Sequence, residues 1–250
     1  MATPGVDAAP RDCVRILGVP IDKVTMNQTL AKIESFLASD KPHLVVTADA
    51  TAIVIAHQDF AFQTLVEGAD LVTPDGIGVL WAAKRQGVPL TQRVSGIDIV
   101  NQICRLSADK GYRLFLLGAA TGVAELAAEK LRLKYPGCNI VGSRHGFFPA
   151  ESDEVVAREI AETKPEILFV AMGMPRQEQF IRSTQHIIGA KVAMGVGGSF
   201  DVISGKTKRA PQLIQRMKLE WLWRLILNPK KISKVKMLPK FMVLILKEKP

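Results

Sequence analysis

Little in this sequence points to metal, redox or hydrolytic chemistry. Three cysteines in 250 residues, Cys13, Cys104 and Cys138, stand far apart with no CxxC pair. That argues against a disulfide framework or a thiolate zinc site and for a reducing compartment. The four histidines, His43, His57, His145 and His186, lack metal-ligand spacing. No DxD occurs, so a divalent ion held by paired carboxylates is not signalled, and the expectation is no metal and no cofactor. Neither GxSxG nor a Cys–His dyad spacing is present, which leaves hydrolase readings poor. No apolar run reaches the roughly 18 residues that a bilayer-crossing helix needs. The polar start MATPGVDAAP lacks the apolar segment of a secretory signal. Repeats and low-complexity tracts are absent as well.

What is present is an apolar body with an uneven charge distribution. Residues 206–250 hold 13 Lys/Arg against Glu220 and Glu248, whereas the first 205 residues hold 20 Lys/Arg against 22 Asp/Glu. A near-neutral body carrying a basic end suggests a polyanionic partner: nucleic acid, an anionic membrane or a phosphorylated substrate. Within the end segment, APQLIQRMKLEWLWRLIL reads as a helix with Ile214, Met217, Trp221 and Leu225 on one side. Arg216, Glu220 and Arg224 fall on another side, as an ion ladder would. Beyond it, Ile232, Val235, Leu238, Met242 and Ile245 recur at near-helical spacing among lysines, with Pro239 as an interruption. Apolar residues on one face and lysines on the other describe an interfacial membrane segment. A nucleic-acid tail would be as basic but has no need of FMVLIL.

Along the body, apolar runs alternate with helix-like runs. VRILGVPI reads as a first strand, and Thr25 as the cap of a helix through MNQTLAKIESFLA. HLVVTA and DLVTP read as strands, each followed by a helix, around Ala50–His57 and over GIGVLWAAKRQG. LFLL, ILFVAM and VAMGV are apolar on both faces, the signature of a mostly parallel sheet covered by helices on both sides. The expected architecture is therefore an α/β, Rossmann-like fold. A flexible leader spans 1–12, an α/β catalytic domain 13–205 and a basic helical appendage 206–250.

In such sheets ligands bind at the carboxyl ends of the strands. Asp75, Gly118, Gly173 and Gly197 each follow a strand candidate. Asp75, between Pro74 and Gly76, reads on position as a turn residue or helix cap, or as a carboxylate held at a strand tip for chemistry. GIGVLW misses the dinucleotide fingerprint because Trp81 stands where the third glycine belongs, so a nicotinamide oxidoreductase is weakly supported. GAATG, from Gly118 to Gly122, could present backbone N–H groups to a phosphate or be an ordinary turn. GVGGSFD, with Gly197, Gly198 and Asp201, could wrap a base or ribose or only make a bend.

Taken together, the stretches VVTADATAIVIAHQD, ADLVTPDGIGVLWAAKRQG, QRVSGIDIV, RLFLLGAATGVAELAAEKLRLKYPG, ILFVAMGMPRQEQFI, VGGSFDVISGKTKRAP and LEWLWRLILNPKK resemble the WecG/TagA/CpsF glycosyltransferases, in order, over roughly residues 15–231. The resemblance implies a metal-independent, inverting transfer of a sugar from a UDP-sugar to a polyprenyl-pyrophosphate-linked sugar. It places the reaction at the cytoplasmic face of the bacterial inner membrane, on a peripheral enzyme with a membrane-docking C-terminal appendage and no nucleic-acid partner. By resemblance Asp75 matches the catalytic base, and Thr47, Arg93 and Gln177 match pocket residues. Asp49 stands where many members have asparagine. Arg224 becomes the first candidate to stabilise the leaving UDP, with Arg93 and the GAATG turn behind it. Lys231 and Lys234 stand near positions where the family tends to carry arginine. Two other classes stay open on the residues alone: a nicotinamide-dependent oxidoreductase, and a non-catalytic membrane or nucleic-acid adaptor.

Overall fold

The computed structural model describes residues 11–208, 210–211, 223 and 232–248, with side chains from 237 onward in the last segment. The chain opens with a hairpin of β1 (Cys13–Ile16) and β2 (Val19–Asp22), paired antiparallel. The sequence pattern reads as a single strand here. The chain reverses instead through Leu17 (φ 49°) and Gly18 (φ 87°), the two positive φ values that a tight hairpin turn needs. Leucine is an uncommon residue in that turn, which hid it. Gly18 suits this turn because of its positive φ, and a Cβ there would push the end of the Gln63 side chain aside.

Six further strands follow: β3 (His43–Ala48), β4 (Leu71–Pro74), β5 (Leu114–Gly118), β6 (Ile140–Arg144), β7 (Ile167–Ala171) and β8 (Val192–Gly195). They form one sheet in the order β4-β3-β8-β7-β5-β6, and every neighbouring pair is parallel. Alternate residues of each central strand go to opposite cores, as a period of two dictates. Leu44, Val46, Leu117, Val170 and Ala193 enter one core. Val45, Leu116, Phe169, Val192 and Met194 enter the other.

Helices cover both faces. Against the second core lie α1 (Met26–Leu37), α5 (Gly96–Lys110), α6 (Val123–Lys134) and the short α9 (Ser199–Ile203). Against the first lie α2 (Ala50–Gln58), α3 (Phe60–Glu67), α4 (Ile77–Arg85), α7 (Asp153–Glu162), α8 (Arg176–Ile188) and α10 (Ile232–Lys247). The start of α1 is a capping box: Gln28 N–H donates to Thr25 Oγ1, and Thr25 N–H donates to Gln28 Oε1. Helix α3 is absent from the sequence reading. It exists because Asp59 takes an extended conformation after α2 and accepts from Ala61 and Phe62 N–H, starting a new helix at once.

The C-terminal segment divides its apolar residues differently from the stripe read in the sequence. Helix α10 runs through Pro239 and packs on α2 and α4. Phe241 and Ile245 are buried in the first core, with Met237 and Leu244 packed at its margin. Leu238 and Phe241 close over Gly78, where a Cβ would meet them at 3.6 and 3.5 Å. Met242, Val243 and Leu246 face outward, 44–53% exposed. Among the described residues no helix is long and apolar enough to cross a membrane.

Besides its buried apolar side chains, the hairpin is tied to the sheet by a partly buried ion pair. Asp22, 1% exposed, accepts Arg11 Nε and Nη2 at 2.7 Å each and Val72 N–H at 2.6 Å. Arg11 also donates to the Ala69 carbonyl at 2.9 Å. A bidentate guanidinium fits a carboxylate with both oxygens occupied. Replacing Arg11 with methionine leaves a buried carboxylate short of its cation, and we expect a loss of about 3 kcal/mol, read as a lower urea midpoint. The Arg11→Met/Asp22→Leu pair should recover part of that loss, because no charge is then stranded.

Candidate active site

The strand order opens a crevice above β3 and β8. From β3 the chain moves outward to the edge strand β4, whereas β8 is reached from the β7 side. The loops that follow β3, β4, β7 and β8 therefore diverge around one space at the carboxyl ends of the sheet. There lies a cleft of about 250 Å³, walled by Thr47, Asp49, Asp75, Arg93, Gly197 and Gly198 among the residues singled out from sequence. Ser95, Gly173, Met174 and Ser199 complete its sides, and Met237 of α10 reaches it from the C-terminal segment. That volume is near the lower bound of about 300 Å³ for small-molecule sites.

Asp75 is fixed from several directions. Its own N–H donates to the Ala48 carbonyl at 2.9 Å, and Pro74 just before it accepts Val94 N–H at 2.9 Å. Backbone bonds thus grip the strand tip on both sides. Helix α4 does not use Asp75 as its cap: Gly76 holds that position at φ 113°, with no side-chain bond. The carboxylate turns instead toward the segment leading into α5. Oδ1 accepts from Arg93 Nε and Nη2 at 3.3 Å each, and Oδ2 accepts from Gly96 N–H at 3.2 Å. Gly96 opens α5, whose positive end favours a carboxylate. Both side chains stay 24% exposed, toward the cleft.

Around this pair the other predicted residues take distinct places. Thr47 is buried and donates to the Gly195 carbonyl at 3.0 Å, tying β3 to β8. Asp49 caps α2, accepting Ala52 N–H at 2.9 Å, and also lines the cleft. Gln177 is 0% exposed and lies behind the wall. Its Oε1 accepts N–H from both Gly173 and Gly197 at 3.1 Å, and its Nε2 donates to Glu178 Oε1 at 2.6 Å. Gly118, Gly122 and Asp201 are outside the lining of the cleft. Backbone geometry explains the first two: Gly118 sits at φ 133° with no room for a Cβ against Ala171, and Gly122 is left-handed at the start of α6. Asp201 belongs to α9, where its carbonyl accepts Thr207 N–H at 2.8 Å. Arg224, Lys231 and the side chain of Lys234 lie outside the described residues. Among the described residues no three His, Cys, Asp or Glu side chains converge as metal ligands would.

Glu178 is the residue that sequence reading missed. It is 0% exposed, and its Oε2 has no hydrogen-bond partner among the described atoms. Burial pushes its carboxyl up from 4.5 to about 7, the nearby Asp49 charge acts in the same direction, and the Gln177 bond opposes them. A helical wheel over α8 contained the signal. Gln177 and Glu178 share a face with Phe180, Ile181, Thr184 and Ile188, all buried. A glutamate on an apolar face is anomalous.

The chain matches the model of the glycosyl transferase WecG/TagA/CpsF family over residues 14–250. Among curated proteins it is similar to the N-acetylglucosaminyldiphosphoundecaprenol N-acetyl-beta-D-mannosaminyltransferases of Staphylococcus aureus strains MRSA252 and NCTC 8325 / PS 47. Each is 35% identical over 238 residues, covering 94% of this chain and 93% of the relative.

Burial of Glu178 has a consequence for stability. Between pH 4.5 and 7 the folded protein keeps a proton that the unfolded chain has released, so stability falls as pH rises through that window and levels off above it. Glu178→Gln removes the effect. Urea unfolding at pH 5, 6 and 8 should show the variant gaining on the parent with rising pH, by up to about 3 kcal/mol. A gap independent of pH would mean that Glu178 ionises as an ordinary carboxyl.

Proposed function

The chain belongs to the WecG/TagA/CpsF glycosyltransferase family, and from that premise we propose that it transfers a hexose, with inversion, from a UDP-sugar to a polyprenyl-pyrophosphate-linked sugar. The sugar is of the N-acetylmannosamine type, as the names of the staphylococcal relatives indicate for them, or of the glucose type. The product feeds a cell-surface polysaccharide or teichoic acid. The observation that carries the reading is the carboxylate of Asp75, held at the cleft wall by Arg93 and Gly96.

In this mechanism the acceptor hydroxyl attacks the anomeric carbon from the side opposite UDP. The new C–O bond forms as the bond to the β-phosphate oxygen breaks, UDP leaves with the bonding pair, and the hydroxyl proton passes to Asp75. Arg93 aims the base, because its two nitrogens take Oδ1 from one side while Gly96 takes Oδ2 from another. Thr47 and Asp49 offer hydrogen-bonding groups to the sugar at the floor of the cleft. Gly197 and Gly198 leave space for the donor near the backbone. The negative charge developing on UDP calls for cations, and Arg93 and Arg224 remain the candidates for it.

The same proposal includes peripheral attachment at the cytoplasmic face of the membrane. The exposed Met242, Val243 and Leu246 are flanked by exposed Lys240 and Lys247 on α10. Each lysine near an anionic surface contributes about 1 kcal/mol. Deleting the segment would strip Phe241 and Ile245 from the core, so point changes on the outer face are the cleaner test.

Two measurements check the reading. UDP release is followed with UDP-N-acetylmannosamine and UDP-glucose and a polyprenyl-pyrophosphate-linked sugar in anionic liposomes, with EDTA present. One donor should be consumed, and Asp75→Asn should lower kcat roughly a hundred- to ten-thousand-fold while donor KM stays within about threefold. Unchanged kcat would return Asp75 to a structural role. Separately, Met242→Glu/Leu246→Glu should weaken sedimentation with anionic vesicles and slow transfer to the membrane-bound acceptor. Transfer to a short-chain, water-soluble acceptor should be spared.

A further inference from the structure

Two side chains behind the cleft wall form a chain of hydrogen bonds that ends on two loops. Glu178 Oε1 accepts from Gln177 Nε2 at 2.6 Å. Gln177 Oε1 accepts at 3.1 Å from Gly173 N–H, in the loop after β7, and at 3.1 Å from Gly197 N–H, in the loop after β8. Both glycines line the cleft, and both have positive φ, 81° and 51°. Neither Gln177 nor Glu178 is exposed.

A glutamine amide is two-faced: one end donates and the other accepts. The two glycine N–H groups can be held only if the carbonyl end faces them. The NH₂ end must then find an acceptor in the opposite direction, inside the protein, where water does not supply one. Glu178 Oε1 is that acceptor. Space reinforces the orientation, since a Cβ on Gly195 would lie 2.4 Å from Gln177 Nε2 and 2.6 Å from Glu178 Oε1. The Gly195 carbonyl on the same strand is taken by Thr47.

We propose that Glu178 is a positioning residue for sugar transfer: by fixing the Gln177 amide it holds the Gly173 and Gly197 loops in the shape that receives the donor. The proposal rests on the transferase reading for its kinetic consequence but not for its structural one. Glu178 touches no substrate; it acts through Gln177. An ionised carboxylate is a costly way to supply an acceptor in a core. Its charge is kept off the site by burial, which leaves the carboxyl readily protonated beside Asp49. The neutral acid retains the carbonyl oxygen that Gln177 requires.

The test compares Glu178→Leu, Glu178→Gln and Gly195→Ala with the parent full-length chain. Leucine removes the acceptor without leaving a charge in the core; it strands the buried Gln177 NH₂, so Gly195→Ala tests the clamp by a second route that keeps the acceptor. Glutamine keeps an acceptor in place. Alanine at 195 crowds the clamp from the strand side. Amide hydrogen exchange is read by mass spectrometry together with steady-state kinetics, using whichever of UDP-N-acetylmannosamine or UDP-glucose is consumed.

In Glu178→Leu and Gly195→Ala, exchange should rise at 172–174 and 196–198 while strand β5 keeps its protection. Donor KM should rise roughly tenfold with kcat changed by less than about threefold, because looser loops weaken ground and transition states alike. Glu178→Gln should restore both readouts. Unchanged exchange at the two loops would overturn the proposal. So would a uniform rise across the sheet, which a merely structural role predicts, or a Gln variant as impaired as the Leu variant. A parent protein that consumes neither donor overturns the transferase reading instead, and the exchange pattern then decides the clamp alone.

Discussion

Strands such as LFLLG and ILFVA have no polar face, and every other feature of the molecule follows from the need to cover them twice. A parallel sheet with helices on both sides forces each connection to cross over a face. All strand ends of one kind then gather on one side. Carboxyl-end loops collect there, and where β3 and β8 meet, the chain feeds away from one strand and arrives at the other from the opposite side. The cleft is a by-product of that arrangement. It needs no special loop, only side chains at strand tips: Thr47 and Asp49 after β3, Asp75 after β4, and the glycines after β7 and β8.

What distinguishes this cleft is how rigidly its acids are held. Asp75 has its main chain bonded to β3, its preceding carbonyl bonded to Val94, and both carboxylate oxygens engaged. In the proposed transfer, a base that must meet one hydroxyl gains more from fixed direction than from extra proton affinity, since misplacement by an ångström costs heavily in rate. Asp49 is likewise pinned, by the first turn of α2. Glu178 is held with the other sign of outcome: burial favours its neutral form, so the carboxyl near Asp49 adds hydrogen bonding without a full second charge. Three carboxyl groups within one region thus have different surroundings, with guanidinium and N–H beside Asp75, a helix cap for Asp49 and an apolar helix face for Glu178.

The sheet was legible in the sequence because unbroken apolar runs of four to six residues between helical patterns have few other uses. Asp75 was legible as an acid at a strand tip, and the cap position of α4 is held by Gly76 instead. Three features were not legible, each for a local reason. The Leu17–Gly18 turn lacks the usual Asn-Gly or Asp-Gly signal. Helix α3 follows α2 after a single extended residue, too short a break to register as a loop. Gln177 was a pocket residue only by resemblance, and the residues alone give its helix but not its depth. It lies wholly inside, with Glu178 beside it on the apolar face. Arg224, chosen for the leaving group, lies outside the described residues.

The C-terminal helix joins these levels. Its inner side, Phe241 and Ile245, belongs to the same core as α2 and α4, and burying two such side chains contributes about 3–6 kcal/mol. Its outer side, Met242 and Leu246, faces away from that core. One turn earlier, Met237 reaches the cleft. A surface that grips the outer side therefore cannot move without moving the wall of the site, because the inner side is locked to the helices that begin at Asp49 and just after Asp75. In the proposed function, attachment and catalysis would be coupled through α10 by packing alone. In the proposed transfer, the lipid end of an acceptor lying in such a surface would approach the cleft from the side lined by Met237, across from Asp75.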